Sequence, residues 1–287
     1  MSNFAKNNTV QTKKINIYII ISLITIACLS CYQKQVCVVA EPFYGDRSFD
    51  IEEISSFYTE YKNSSKERIH NIKIASSKLD GVFLESGEEF SFNKTVGERS
   101  AKNGYLDANI IVDKKFISGV GGGVCQVSTT LYNAVILAGL KVTEYHPHTL
   151  KVNYVYPSFD AMVSYGYADL RFINTTSHPI YLSVKCDDVR LRITIYGQND
   201  GYTYKREYSV LDKISPPSPI VIEDLDGIYG VTGDDYIFIT YPKDGLLSEG
   251  YLLKYKGDKL ISKKLIRKDK YLPVTGEIVI APKLDEN

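Results

Sequence analysis

The sequence predicts an α+β fold: helices packed on a mixed sheet, followed by a small antiparallel β module. Three observations predict it. Between 50 and 79, Ile51, Ile54, Phe57, Tyr58 and Tyr61, then Ile69, Ile72, Ala75 and Leu79, recur at helical spacing. From Val82 the period shortens to strand-like runs, with one helical stretch from Val124 to Ala138. Beyond Pro216, Pro217 and Pro219, short β-like runs separated by glycine turns predominate. The expected division is a signal peptide or membrane anchor at 1–40, a mixed core domain at 41–200 and a small β-rich module at 201–287.

The N-terminal 14 residues carry Lys6, Lys13 and Lys14 and precede an apolar stretch at 15–29. A basic flank before an apolar run is the pattern of an export signal, with the following chain delivered outside. Val38-Val39-Ala40 offers a cleavage site, and a retained anchor is the alternative. Three of the five cysteines (Cys28, Cys31 and Cys37) lie near this segment, leaving Cys125 and Cys186, too few for a disulfide scaffold. The 34 basic and 34 acidic residues balance, so no basic excess points to nucleic acid.

Taken in order, Asp50 with Glu53 resembles a capping box opening a first helix. A second helix is expected from Glu67 to Leu79, ended by Asp80-Gly81. Strands are expected at 82–84, 89–92, 108–112 and 115–118, the last two forming a hairpin with its turn at Asp113. In the 124–138 helix, Val124, Val127, Leu131, Ala134, Val135 and Ala138 form an apolar face, with Cys125, Ser128, Thr129 and Tyr132 on the other side. Gly139 ends it. Strands at 140–146, 154–156 and 161–173 and a hairpin at 180–196 complete the core. In the C-terminal module, runs at 236–241, 249–255, 259–267 and 277–280 are expected as strands.

The chemistry concentrates at the start of the Cys125 helix. Gly119, Gly121, Gly122 and Gly123 place four glycines in five residues before it, allowing close backbone approach. A cysteine in the first helical turn sits where the helix dipole favours a thiolate. His146 and His148 follow on the next strand.

The block GGGVCQVSTTLYNA, from Gly121 to Ala134, with the flanking sequence from about Asn71 to Gly197, resembles the VanW family. That resemblance implies a cell-envelope protein with peptidoglycan or its precursors as partner, at the outer face of the cytoplasmic membrane or in the cell wall. The 243–273 stretch looks like a small β module related to the G-five type, associated with cell-wall adhesion. Match to the family motif favours His148 as base and Asp169 as the residue orienting it, with His146 and Asp160 as alternates.

Two functional classes follow. In the first, Cys125, His148 and Asp169 form a thiol site of the amidase, peptidase or transpeptidase kind, acting on stem-peptide amides. A thiol nucleophile needs a base within hydrogen-bond reach and a group that orients the base. Gly121, Gly122, Gly123, Gln126, Ser128, Thr129, His146 and Arg171 would line the site, with loop N–H groups available to an oxyanion. In the second class, the protein is a non-catalytic peptidoglycan-binding or accessory protein in which Cys125 is structural. No cofactor is expected. Cys125, His146, His148 and Asp169 are zinc-ligand types, but neither a second cysteine nor an H-E-x-x-H pattern accompanies them, so no metal is expected.

Overall fold

A computed structural model describes residues 51–112 and 115–282. The expected export segment, its cleavage site, Asp50 and the turn at Asp113 lie outside the described residues. The described residues form one compact unit, and no helix among them is long and apolar enough to cross a membrane.

The architecture is mostly β, which corrects the α+β expectation. The described residues form fifteen strands and three α-helices. The strands are β1 (Glu52–Glu60), β2 (Phe83–Leu84), β3 (Glu89–Ser91), β4 (Asp107–Val112), β5 (Lys115–Val120), β6 (Lys141–Glu144), β7 (Arg171–Ile173) and β8 (Ile180–Cys186). They continue as β9 (Arg190–Gly197), β10 (Thr203–Ile214), β11 (Ile220–Glu223), β12 (Tyr236–Thr240), β13 (Gly245–Lys256), β14 (Lys259–Tyr271) and β15 (Glu277–Ile280). The helices are α1 (Lys66–Ser77), α2 (Phe92–Val96) and α3 (Val124–Leu137).

The expected N-terminal helical pair is half wrong. Only α1 is a helix, capped by Ser65, whose side chain accepts from the Arg68 N–H. The segment before it is β1, paired antiparallel with β9. A bulge between Glu53 and Ser55 adds one residue to β1 and breaks its alternation. Ile54 and Phe57, both packed on the core, therefore stand three apart and imitate a helical stripe. After the bulge the period of two returns, with Thr59 and Tyr61 buried.

Strands β1, β9, β8 and β2 form one antiparallel sheet in that order. Its inner face presents Leu191, Ile193, Ile195 and Leu182, all fully buried. Helix α3 packs on this face, against β1 and β9. The Ser55 hydroxyl donates to the Ala134 carbonyl at 2.8 Å, and Thr59 and Thr130 share a 2.8 Å hydroxyl contact. Strands β3, β7 and β6 form a second sheet, and β4 and β5 a hairpin. Beyond them lie two three-stranded sheets, β10-β13-β14 and β11-β15-β12. The expected strand at 154–156 is irregular chain, and of the 161–173 run only β7 is a strand. The polar side of α3 binds the backbone of this stretch.

Candidate active site

Helix α3 is buried on nearly every side, and its N-terminus is set by glycine. Gly123, the N-cap, has φ 110°. A Cβ on Gly122 would stand 2.7 Å from the Ala108 carbonyl carbon and from the Asn109 carbonyl oxygen, and one on Gly123 would stand 2.9 Å from Ile72. The loop thus lies directly on β4 and α1. Asn71 of α1, fully buried, fixes it by donating to the Leu106 and Gly122 carbonyls and accepting from the Leu106 N–H.

Cys125 follows in the first turn, partly exposed and without a disulfide. Its Sγ lies 3.5 Å from the Val163 carbonyl oxygen, and the His148 imidazole is near enough to act electrostatically on the thiol. His148 is 6% exposed, and its Nδ1 lies 2.7 Å from Asp160 Oδ2. The same carboxylate oxygen accepts the His148 backbone N–H at 2.6 Å. With Nδ1 committed to Asp160, Nε2 is the nitrogen left for the thiol. A thiol, an imidazole and a buried carboxylate therefore stand in series.

Asp160 is placed by α3 itself. The Asn133 amide donates to the Phe159 carbonyl at 2.8 Å, the Ser128 hydroxyl to the Ala161 carbonyl at 2.6 Å, and the Ala161 N–H to Thr129 at 2.9 Å. Residues 159–161 are thereby strapped along the helix that carries Cys125. From β14, the Tyr271 hydroxyl donates to Asp160 Oδ1, and the Arg267 guanidinium binds both the Asp160 carbonyl and its carboxylate. Arg267 also pairs with Asp269 at 3.0 Å.

The protonation equilibria follow this wiring. Burial pushes the Cys125 thiol up, but the hydrogen bond and charge of His148, the Val163 backbone and the charge of Arg99 together hold it below the ordinary thiol value. Burial pushes His148 down, and the hydrogen bonds to Asp160 and Cys125 override it, raising the imidazole to about 9. Burial pushes Asp160 up, yet His148, Arg267 and Tyr271 bring it down to about 2. The directions agree on a thiolate–imidazolium pair over a carboxylate.

The other predicted site residues stand elsewhere. Asp169 accepts from the Ser91 hydroxyl and the Asn93 and Leu170 N–H groups, and its own N–H donates to Glu144, so it anchors the start of α2. His146 pairs with Glu144 at 3.0 Å, and Arg171 pairs with Glu89 across the β3–β7 sheet. Gln126 is buried between Arg68 and the Glu60 carbonyl. Ser128 and Thr129 serve as the straps just described. No group of three or more His, Cys, Asp or Glu residues able to hold a metal ion occurs among the described residues.

Sequence reasoning missed Arg99, Tyr154, Arg267 and Tyr271. Burial together with the charges of Cys125 and Asp160 raises the pKa of Tyr154. Tyr154 also lines a groove of about 700 Å³ with Phe57, Tyr58, Tyr156, Arg206 and Tyr208. The available signal for Arg267, Asp269 and Tyr271 was their alternation along one strand face. Charged residues in that pattern ordinarily mean a solvated face.

Residues 67–196 match the family described as VanW like protein. Over this segment the chain is VanW-like. The chain is 40% identical over 148 residues to the uncharacterized protein YoaR of Bacillus subtilis (strain 168), covering 52% of this chain and 49% of the relative. It is 25% identical over 170 residues to the vancomycin B-type resistance protein VanW of Enterococcus faecalis (strain ATCC 700802 / V583), covering 57% and 59%. The chain therefore spans about half the length of the curated relatives it matches. Among solved structures, the G5 domain of an IgA1 protease matches 29% of this chain and 92% of its own, at 16% identity and a TM-score of 0.20. Cys125, His148 and Asp160 all fall inside the VanW segment, whereas Arg267 and Tyr271 fall outside it.

Proposed function

We propose that this chain is an exported cell-envelope enzyme whose Cys125 thiol carries out acyl transfer on amide bonds of peptidoglycan stem peptides. The observation that carries the chemical half is the buried His148–Asp160 pair, held at 2.7 Å, with the Cys125 thiol within electrostatic range of the imidazole. The envelope half rests on the VanW segment and on a relative named for vancomycin resistance. Export rests on the basic and apolar pattern of the first 29 residues.

In this reading the Cys125 thiolate attacks the amide carbonyl, and the Sγ–C bond forms as the C–N bond breaks. His148, protonated, gives its proton to the departing amine. The N–H groups of Val124 and Gln126 are already bonded to the Gly121 and Gly123 carbonyls. The N–H groups of Gly123 and Cys125 are thus the pair available to the oxyanion. Water or a second amine then resolves the thioester, giving hydrolysis or transpeptidation.

The test is incubation of the purified full chain with muropeptides, followed by mass spectrometry of the products. New products with the wild type and none with Cys125→Ser support the reading. Unchanged muropeptides with both proteins, together with equal retention of both on cell-wall sacculi, would replace it with the non-catalytic binding role.

A further inference from the structure

We propose that Arg99, Ser100 and Tyr105 form a carboxylate-binding subsite beside Cys125, which takes the free C-terminal carboxylate of the peptide being cleaved. This rests on the acyl-transfer reading above and adds to it where along a peptide the enzyme acts.

The segment 99–105 passes over the glycine loop. A Cβ on Gly121 would stand 2.9 Å from the Arg99 Cβ, and the Gly121 N–H donates to the Leu106 carbonyl at 3.1 Å. The guanidinium is fixed by one arm: Nη1 donates to Asn93 Oδ1 at 2.7 Å and to the Gly97 carbonyl at 3.2 Å. Its plane lies over the Phe92 ring, 5.8 Å from the centroid. The other arm, Nη2, is buried without a partner. Two more buried groups nearby share that condition, the Ser100 and Tyr105 hydroxyls. Tyr105 is only 2% exposed. These three atoms are the buried side-chain N and O atoms left without a hydrogen bond among the described residues. They fall within seven consecutive positions, 99–105, on the segment that covers the glycine loop leading to Cys125.

Buried polar groups in folded proteins are nearly always paired, so a cluster of unpaired ones asks for a ligand. All three can donate, and the guanidinium adds a positive charge that no carboxylate among the described residues pairs with directly. Such a set selects an anion, and one positive charge matches a carboxylate. Arg99 packs on Gly121, four positions before Cys125 in the loop that opens α3, which sets the subsite at the approach to the reacting sulfur. A carboxylate held there makes the scissile amide one near the C-terminal end of the substrate. The leaving group is then a terminal amino acid or short peptide, whose amine takes the His148 proton as the C–N bond breaks.

The experiment uses the full chain and two synthetic stem peptides of identical sequence, one ending in a free carboxylate and the other in a carboxamide. Turnover is measured with wild type, Arg99→Gln, Arg99→Lys and Tyr105→Phe, and binding is measured calorimetrically to Cys125→Ser with and without Arg99→Gln. The expected result is a preference for the free acid of about tenfold or more in both kcat/KM and Kd. Arg99→Gln should abolish it, Arg99→Lys restore part of it, and Tyr105→Phe reduce it. Equal treatment of acid and amide by the wild type in turnover and by Cys125→Ser in binding, or retention of the preference in Arg99→Gln, overturns the subsite. Turnover without discrimination removes the subsite and leaves the acyl-transfer reading standing. Discrimination in binding without any turnover does the reverse.

Discussion

A buried imidazole stays protonated only if something nearby compensates its charge, and for His148 that group is Asp160. Asp160→Asn removes the charge and keeps the shape. We expect a fall of about 10²–10⁴ in kcat/KM, with the His148 pKa, followed by NMR, dropping from about 9 toward or below its ordinary 6.5. Asp169→Asn is the contrasting variant. It weakens the anchor of α2 and should cost about 0.5–2 kcal/mol of stability without moving the pH profile. The pH dependence of stability has a definite sign. His148 is raised from 6.5 to about 9, so its contribution is complete below 6.5 and lost as pH rises through about 9. Asp160 is lowered from 3.8 to about 2, so its contribution is present above 3.8 and lost as pH falls through about 2. Denaturant titrations across pH should show the alkaline loss in the wild type and a smaller one in Asp160→Asn.

At the scale of elements, the site is a helix laid on a sheet with one irregular strand tied along it. Gly122→Ala would drive a Cβ to 2.7 Å from backbone atoms of β4, which cannot step aside as a side-chain tip can. Overpacking of this kind costs about 1–3 kcal/mol, and we expect the loss as a lower Tm together with reduced activity, since α3 must shift to relieve it. The same scale explains what the sequence made legible. The α3 pattern, its glycine approach and the order of Cys125 before His148 rest on local periodicity and glycine chemistry, and these carry through to the structure. Strand β1 was misread because its bulge produced a helical spacing, and with it the α+β class. The 154–156 run and the 161–170 part of the 161–173 run read as strands because their Tyr and Val content is β-like. The backbone of this region instead finds partners in the Ser128, Thr129 and Asn133 side chains, a pairing that no local pattern announces.

For the whole molecule, the consequence is that the candidate acid depends on both halves of the chain. Asp160 lies in the VanW segment, but Tyr271 and Arg267 reach it from β14, 111 and 107 positions away. Contacts that distant leave no trace in spacing, which is why Asp160 could be named only as an alternate and its supports not at all. A chain ending after residue 200 should lose more than a module. With Arg267 and Tyr271 gone, a buried carboxylate loses two of its partners, at a cost of about 3–5 kcal/mol. We expect the truncated chain to unfold at markedly lower denaturant concentration and to be inactive. Tyr271→Phe, which removes one hydrogen bond to a charged group, should cost about 1.5–3 kcal/mol and lower kcat more than it raises KM.

The thiolate–imidazolium pair is tested most directly by the pH dependence of Cys125 alkylation, followed by mass spectrometry of the Cys125 peptide so that the other cysteines do not interfere. Cys125 is expected to react as a thiolate well below the ordinary thiol range, and its apparent pKa to rise in both His148→Gln and Asp160→Asn. A Cys125 that titrates at or above the ordinary thiol value in the wild type, unmoved by either substitution, would contradict that pair.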